Sequence, residues 1–578
     1  MQKLTYEDIL YVLAFVLALG VRLTNLGDAP LSETEAGLAL QAFDLARGNL
    51  AAPAPQPGYL ALTSAVFSLF GSSEALARFW PAMAGSFLSL APWAFSRLLG
   101  RKAALILAFG LALDPGLVAL SRQADGRMLA IGFVVLALAF AYARKPAGSG
   151  IMAGLALLSG PSIWLGLLGV GIAWGAGRLL GVEILEDGEP AASPASASTG
   201  FFRTWILFTV GAILIVGSLF FSFPAGLGAW ASSIAAFARA WVTPSGISAG
   251  RLLAALAMYQ PLALIFAIVA LVRDGSRRRS LVWGLGLWAL AALGLALVFT
   301  GREVGDAVWL LLPLWSLAAV GLSEYFSEDA KNPVSLGQAA SLFVLLALVW
   351  LTLAGLHLTA VEAIRLRLLV VLGILGLAVL TTAFVALGWN WRIARSGAVF
   401  GVGAALAVYG IAAMMGVSQV RPDSPAELWA TPPRAGQAAL FADMLRELSL
   451  LHTGDAHAID VISLVDSSAL RWLLRDYPDA RFAASVDRDV FPSVVIAPLG
   501  SESQVWSAAY RGQDFAWRLN PGWEGVLPEA WVDWLVFREA PVQSERILLW
   551  ARSDLFPDEV ISVDDAAGQI EEAADEFE

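Results

Sequence analysis

The sequence predicts a polytopic α-helical membrane protein followed by a small α/β domain, and three observations carry that prediction. Apolar runs near the ~20 residues needed to cross ~30 Å of hydrocarbon recur along the first 420 residues. Of 578 residues 58% are hydrophobic and only 15% charged, more apolar surface than a soluble chain of this size can bury. From Arg421 onward the balance reverses: that stretch holds 28 acidic and 12 basic residues, so of a net charge of −11 the membrane part is left near +5.

Residues 8 to 23 read as the first span. It is not a cleavable signal, because Leu26-Gly27-Asp28-Ala29-Pro30 follows without a small-x-small cleavage site and further spans come after it. An acidic loop and the run Pro53-Ala54-Pro55-Gln56-Pro57 lead to an apolar segment at 58–71, too short for a comfortable crossing and read as an interfacial helix. Spans then fall near 75–96, 103–119, 128–143, a tight pair at 150–160 and 163–180 around Gly160-Pro161, 203–222, 252–271, 281–299, 304–321, 338–357, 366–387 and 397–418, about 13 with the first. Arg97, Arg101 and Lys102, then Arg144 and Lys145, then Arg273 with Arg277, Arg278 and Arg279, then Arg392 and Arg395 sit in alternate short loops. The positive-inside rule puts those loops and the N-terminus in the cytoplasm and the C-terminal domain outside.

Residues 1–420 are therefore expected to form the membrane domain, with 181–200 a low-complexity, disordered cytoplasmic linker. Residues 223–250, with Trp230, Phe237 and Trp241 among Ala and Ser, read as an amphipathic interfacial helix. Within a 421–570 extracytoplasmic domain, 437–450 and 466–475 read as helices and 458–464, 481–486, 493–498 and 545–551 as strands. Trp517, Trp523, Trp531 and Trp534 suit either its core or a surface resting on headgroups, and 571–578 reads as a solvated acidic tail. The chain has no cysteine, which excludes disulfides, thiolate zinc sites and thiol nucleophiles.

Chemistry concentrates outside the bilayer. Glu33 and Glu35 lie just past the first span, where Ser32 and Glu35 also have the spacing of a capping box. Asp125 sits in a short turn between spans, flanked by Arg122 and Arg127, and a carboxylate at the mouth of a bundle is costly unless paired or functional. Arg22, Arg78, Arg122 and Arg302 are predicted on the same face and suit a phosphate headgroup, the alternative for Arg22 and Arg78 being helix pairing or snorkelling. His357, His452 and His457 do not have the spacing of a metal triad, and no Walker loop or nucleophile elbow is present.

Arg22-Leu23, Gly27, Pro30-Leu31, Glu33-Thr34-Glu35-Ala36, the run from Leu69 to Arg78, and Ser121-Arg122-Gln123-Ala124-Asp125 resemble the polyprenyl-phosphate-dependent glycosyltransferases of the GT-C fold. That group includes the protein O-mannosyltransferases, the lipid A aminoarabinose transferases and the bacterial RgtA/B/C/D family. The likeness covers roughly the first 180 residues, and later spans in layout only. It implies a membrane core with juxtamembrane helices and an added external domain, an acidic first-loop motif that supplies the base, and a second acid after the third span. Glu35 falls on the family's Glu and Asp125 on the second acid, while Thr34 stands where the family has Asp and Glu33 lies one residue earlier.

The expectation that follows is transfer of a hexosyl or pentosyl group from a polyprenyl-phosphate donor to a glycan, lipid or protein acceptor at the extracytoplasmic face. Glu33 or Glu35 would be the general base, and Arg122 and Arg302 would take the leaving phosphate. A divalent cation, Mg²⁺ or Mn²⁺, held by Glu35 and Asp125 is a further expectation from their oxygen ligands. The rival readings are a non-catalytic membrane subunit or scaffold on the same fold, and a transporter of lipid-linked sugars. A transporter would carry acids or a broken helix at mid-bilayer depth.

Overall fold

A computed structural model of the chain describes residues 5–49, 52–181, 195–219, 221–273, 279–326, 332–356, 361–429, 433–487, 490–500 and 508–556. Most of the 181–200 linker, Arg277 and Arg278, His357 and the 571–578 tail lie outside the described residues. The chain divides into two compact units, the first comprising everything up to Arg434 together with Leu519–Gln543, the second Ala435–Arg518 and the chain from Ser544. The first unit thus extends past the expected limit at 420 and takes back a later segment. The reason is apolar packing: Trp534 is fully buried in the helical core of the first unit, with Trp523 against it.

In the first unit the helices run in order as α1 (Tyr6–Leu23), α2 (Glu33–Ala46), α3 (Pro57–Phe70), α4 (Glu74–Leu88), α5 (Ala91–Ala94), α6 (Ser96–Leu99), α7 (Arg101–Leu113), α8 (Pro115–Ser121), α9 (Arg127–Tyr142), α10 (Pro146–Leu157) and α11 (Ser162–Leu179). They continue as α12 (Ala195–Gly217), α13 (Ala225–Ala240), α14 (Ala249–Tyr259), α15 (Pro261–Val272), α16 (Arg279–Val298), α17 (Val308–Ser323), α18 (Pro333–Ala354), α19 (Val361–Gly388) and α20 (Trp391–Met415). Every predicted span contains a helix. Among the described residues seven are long and apolar enough to cross a membrane, or nine if each of two bent pairs makes one span. The shortfall from about 13 has local causes: α1 carries Glu7, Asp8 and Arg22 in 18 residues, and α9 and α10 are only 16 and 12 residues long.

Both bends are written in the sequence. Pro115 and Pro261 each stand at the first position of the second half, where a missing N–H costs nothing but the preceding helix must stop, giving turns of 53° and 89°. Helix α17 is buried from Val308 to Gly321, whereas only 6% of the apolar stretch of α19 is buried. An apolar helix exposed on nearly every side is stable only against lipid, so the chain is a multi-pass membrane protein. Close approach uses small residues: a Cβ at Gly150 would lie 2.4 Å from the Trp205 carbonyl oxygen, which lets α10 lie backbone to backbone on α12.

The second unit is built on a six-stranded sheet of order β1-β5-β6-β4-β2-β3, with β1 Arg434–Ala435, β2 Val461–Ser463, β3 Ala480–Phe482, β4 Val494–Pro498, β5 Tyr510–Pro521 and β6 Val542–Arg552. Strand β2 pairs parallel to β3 and β4, and β4 pairs antiparallel to β6. The predicted helices appear at Ala438–Thr453 and Ser468–Leu473. Strand β5 was not anticipated because its hydrophobic pattern is broken by Arg511, Gln513 and Arg518. Phe441, Phe515 and Trp517 form the aromatic centre of this unit's core. The tryptophans therefore separate: Trp517 and Trp534 are core residues, one in each unit, and Trp531 is half exposed.

Candidate active site

The loop after α1 is folded onto one arginine. Arg78, from α4, donates to the carbonyls of Leu26, Ala29 and Pro30 at 3.2, 2.7 and 3.0 Å. It then pairs with Glu35 through two hydrogen bonds, Nε to Oε1 at 2.9 Å and Nη2 to Oε2 at 3.1 Å. Ser32 caps α2, and the Ser32 N–H and hydroxyl donate to Glu35 Oε2 at 3.0 and 2.9 Å. The N–H of Ala124 donates to Oε1 at 2.9 Å. Glu35 is thus buried and accepts five hydrogen bonds. Burial alone would raise its pKa, but Arg78 and the other donors outweigh it and hold the carboxyl at about 2.

A carboxyl depressed in the folded state contributes stability above its unfolded pKa, and that contribution is lost as pH falls from about 4.3 toward 2. Acid unfolding is therefore expected to show a progressive loss of stability across that window. The loss should be absent from a variant in which Arg78 and Glu35 are both replaced by apolar residues, as urea titrations at pH 5 and pH 3 would show.

The turn between α8 and α9 supplies the second acid. Asp125 is buried, accepts the Arg127 N–H at 2.8 Å on Oδ1, and meets Arg127 Nη1 at 2.5 Å on Oδ2. The same guanidinium also pairs with Glu303 and stands 3.7 Å from Asp306 Oδ1, so one cation is shared by three carboxylates. Burial raises the Asp125 pKa above the ordinary carboxylate value, and Glu303 adds to that rise while Arg127 opposes it. Gly126 fixes the turn: its N–H donates to Gln56 Oε1 at 2.8 Å, and a Cβ there would lie 1.8 Å from the Ser159 carbonyl oxygen. Gly126→Ala is expected to displace this turn and cost about 1–3 kcal/mol, measured as a lower thermal midpoint in detergent micelles.

These acids share one cavity of about 290 Å³, whose wall includes Glu33, Thr34, Glu35, Gln56, Asp125, Arg127, Glu303 and Arg434. A second cavity of about 230 Å³ adjoins it, with Gln56, Arg127 and Glu303 common to both walls. Its far side is aromatic, where Phe237 and Phe299 stack with centroids 5.6 Å apart and Trp241 sits edge-on to Phe299 at 5.1 Å. Glu33, Glu35 and Asp125 therefore line one cavity.

The predicted arginines do not line it. Arg22 is fully buried and donates to Ser121 Oγ and to the carbonyls of Leu111, Ala112 and Ala18, closing the C-terminal end of α7. Arg122 donates to the carbonyls of Val21, Arg22, Thr24 and Asn25 and closes α1. Arg302 donates to the carbonyls of Ala296, Leu297 and Ile247, closing α16. Each is a cation at the negative end of a helix dipole, and each donates to last-turn carbonyls that have no partner within their own helix. With Arg78 committed to Glu35 and the first loop, none of the four lines the cavity. Helix pairing, the alternative reading for Arg22 and Arg78, is what those two side chains do here, while Arg78 and Arg122 line a separate small hollow that also includes Arg434.

Arg127 and Arg434 are the cavity's guanidinium groups instead. Arg434 follows a Pro-Pro pair and is partly buried, and its Nε is sealed from solvent with no hydrogen-bond partner among the described residues. Burial lowers its pKa, against the attraction of Glu35 and Asp423. A buried donor left without an acceptor is a group that a ligand anion can satisfy. The only sequence signal for it is a lone arginine at the end of a proline-rich junction. Glu303 also went unselected, beside the arginine that turns away. The oxygens of Glu35 and Asp125 are engaged by protein donors, and among the described residues no group of three acids or histidines is placed to hold a metal.

No protein-family model matches the sequence, and no curated protein does. Solved structures do. ArnT from Cupriavidus metallidurans bound to undecaprenyl phosphate is 16% identical, with a TM-score of 0.55 over 95% of this chain and 99% of that one. Its apo state is 15% identical with the same TM-score and coverage. The oligosaccharyltransferase AglB from Archaeoglobus fulgidus is 14% identical over 82% of this chain and 64% of its own, at a TM-score of 0.44. The likeness to ArnT establishes the fold, which is the GT-C fold.

Proposed function

We propose that this protein is a membrane glycosyltransferase that moves a sugar from a polyprenyl-phosphate donor to an acceptor hydroxyl at the extracytoplasmic face. The observation that carries this reading is the cavity itself, which brings Glu33 and Asp125 to the same wall as a guanidinium with an unsatisfied buried donor. ArnT, of the same fold, binds undecaprenyl phosphate. The alternation of Arg and Lys between loops supports the outward orientation of the acidic face.

In this mechanism the acceptor oxygen attacks the anomeric carbon while Glu33 takes the hydroxyl proton. The bond between that carbon and the phosphate oxygen breaks, and polyprenyl phosphate departs with its negative charge on Arg434 and Arg127. Glu35 is a positioning residue: with five donors on its oxygens it holds α2, and hence Glu33, in place. Asp125 and Glu303 aim Arg127 at the cavity. Asp114, the acid at the break between α7 and α8, is committed within the protein, accepting from the Leu117 N–H and from Trp315 Nε1, which favours catalysis over transport.

The test is turnover of radiolabelled undecaprenyl-phosphate hexose and pentose donors by the purified protein in the presence of cell-envelope extract. Arg434→Gln is expected to raise the donor KM by about 10- to 100-fold, the worth of one charge-assisted hydrogen bond. No turnover with any donor contradicts the reading.

A further inference from the structure

The molecule has a further hollow, at the other end of α1. Helix α1 has 18 residues and so spans about 27 Å, which puts its first turn at the membrane face opposite the acidic loop. There a cavity of about 690 Å³ lies between the start of α1 and the junction of α6 with α7. Four features meet in it. Gly100, at φ +85°, turns the chain so that α7 starts at Arg101 with no side chain capping its N-terminus, and such an end attracts anions. Arg97 and Arg101 line the same wall, with Glu7 3.6 Å from Arg101. Tyr11 lines it too, only 5% exposed, and its hydroxyl has no hydrogen-bond partner among the described residues. A buried hydroxyl without a partner costs stability unless something fills the site.

The surroundings say what kind of anion. Trp93 and Tyr6 are exposed at the rim, and the next turns of α1 present Ile9, Val12 and Val16 outward. Aromatic side chains above an aliphatic face mark the edge of a bilayer. Arg97 and Arg101 face Glu7 and Asp8 in this wall, so its charges balance, but Glu7 lies on Arg101 and Asp8 caps α1 through Thr5, and among the described residues no carboxylate pairs with Arg97.

We propose that this hollow binds the phosphodiester headgroup of a membrane phospholipid, with the phosphate at the α7 N-terminus and Arg97, and with Tyr11 donating to it. The acyl chains lie along the outward face of α1. The site is separate from the transferase cavity, so it stands or falls independently of that reading.

The test uses the full chain in detergent micelles, titrated with dioleoylphosphatidylglycerol, dioleoylglycerol or inorganic phosphate, with bound molecules counted by native mass spectrometry. Phosphatidylglycerol should bind, and Arg97→Gln should weaken it about tenfold or more. Tyr11→Phe, which keeps the ring and so the packing, should weaken it by about threefold or more. Dioleoylglycerol should not be retained. Equal retention of phosphatidylglycerol by the wild type and both variants overturns the proposal. So does retention of dioleoylglycerol at the same level, or inorganic phosphate binding as tightly as the lipid.

Discussion

Glu33→Gln is expected to lower sugar transfer by about 10²- to 10⁴-fold, the usual worth of a general base, while the thermal midpoint stays within error of the wild type. Glu33 opens α2 and is partly exposed on the cavity wall, where its charge also favours the positive end of the helix. The amide keeps the shape but loses the charge and with it the ability to take a proton, the helix-end contribution being only about 0.3–1 kcal/mol. Glu33→Asp should recover part of the rate, since the shorter acid retains that ability at a longer reach. A Glu33→Gln protein that transfers sugar at the wild-type rate would move the base elsewhere on the wall, where Glu35, Asp125 and Glu303 are the other acids.

Glu35→Gln should fail differently. Removing one member of a buried, hydrogen-bonded ion pair leaves the other uncompensated, at a cost of about 3–5 kcal/mol. Arg78 would keep its three carbonyl acceptors but lose the counter-charge it shares with α2. The loop from Leu26 to Pro30 and the start of α2 hang on that pair, so the variant should unfold at a clearly lower temperature and lose activity with its structure. Restoring the charge by Glu35→Asp should recover little, because the shorter side chain cannot reach both guanidinium nitrogens. A stable but inactive Glu35→Gln protein would instead make Glu35 the base.

The contrast between neighbouring glutamates marks what a sequence can and cannot say. Helices and their bends are legible because apolar length, Pro115 and Pro261 act locally, and the Ser32–Glu35 capping box acts over three residues. The convergence of Glu33, Glu35 and Asp125 could be anticipated from their place at one end of the bundle. The arginines could not be sorted, since each of their partners is set by where a distant helix ends. Arg122 reaches the carbonyl of Thr24, 98 positions earlier, and Arg22 reaches that of Ala112, 90 positions later. Nothing near Arg434 or Glu303 announces a cavity completed by acids that lie far earlier in the sequence. The Asp125–Arg127 pair was visible, but the two further carboxylates on Arg127 arrive from the other side of α16. The same holds for Leu519–Gln543, whose place in the membrane unit is decided by what Trp534 packs against.

A structure of the protein bound to undecaprenyl phosphate tests the account most directly. The phosphate is expected in the cavity walled by Glu33 and Arg127, with an oxygen within hydrogen-bond distance of Arg434 Nε or its terminal nitrogens. A phosphate seated on Arg22, Arg122 or Arg302 with those side chains pulled away from their helix ends would contradict it, as would a lipid bound with its headgroup outside that cavity.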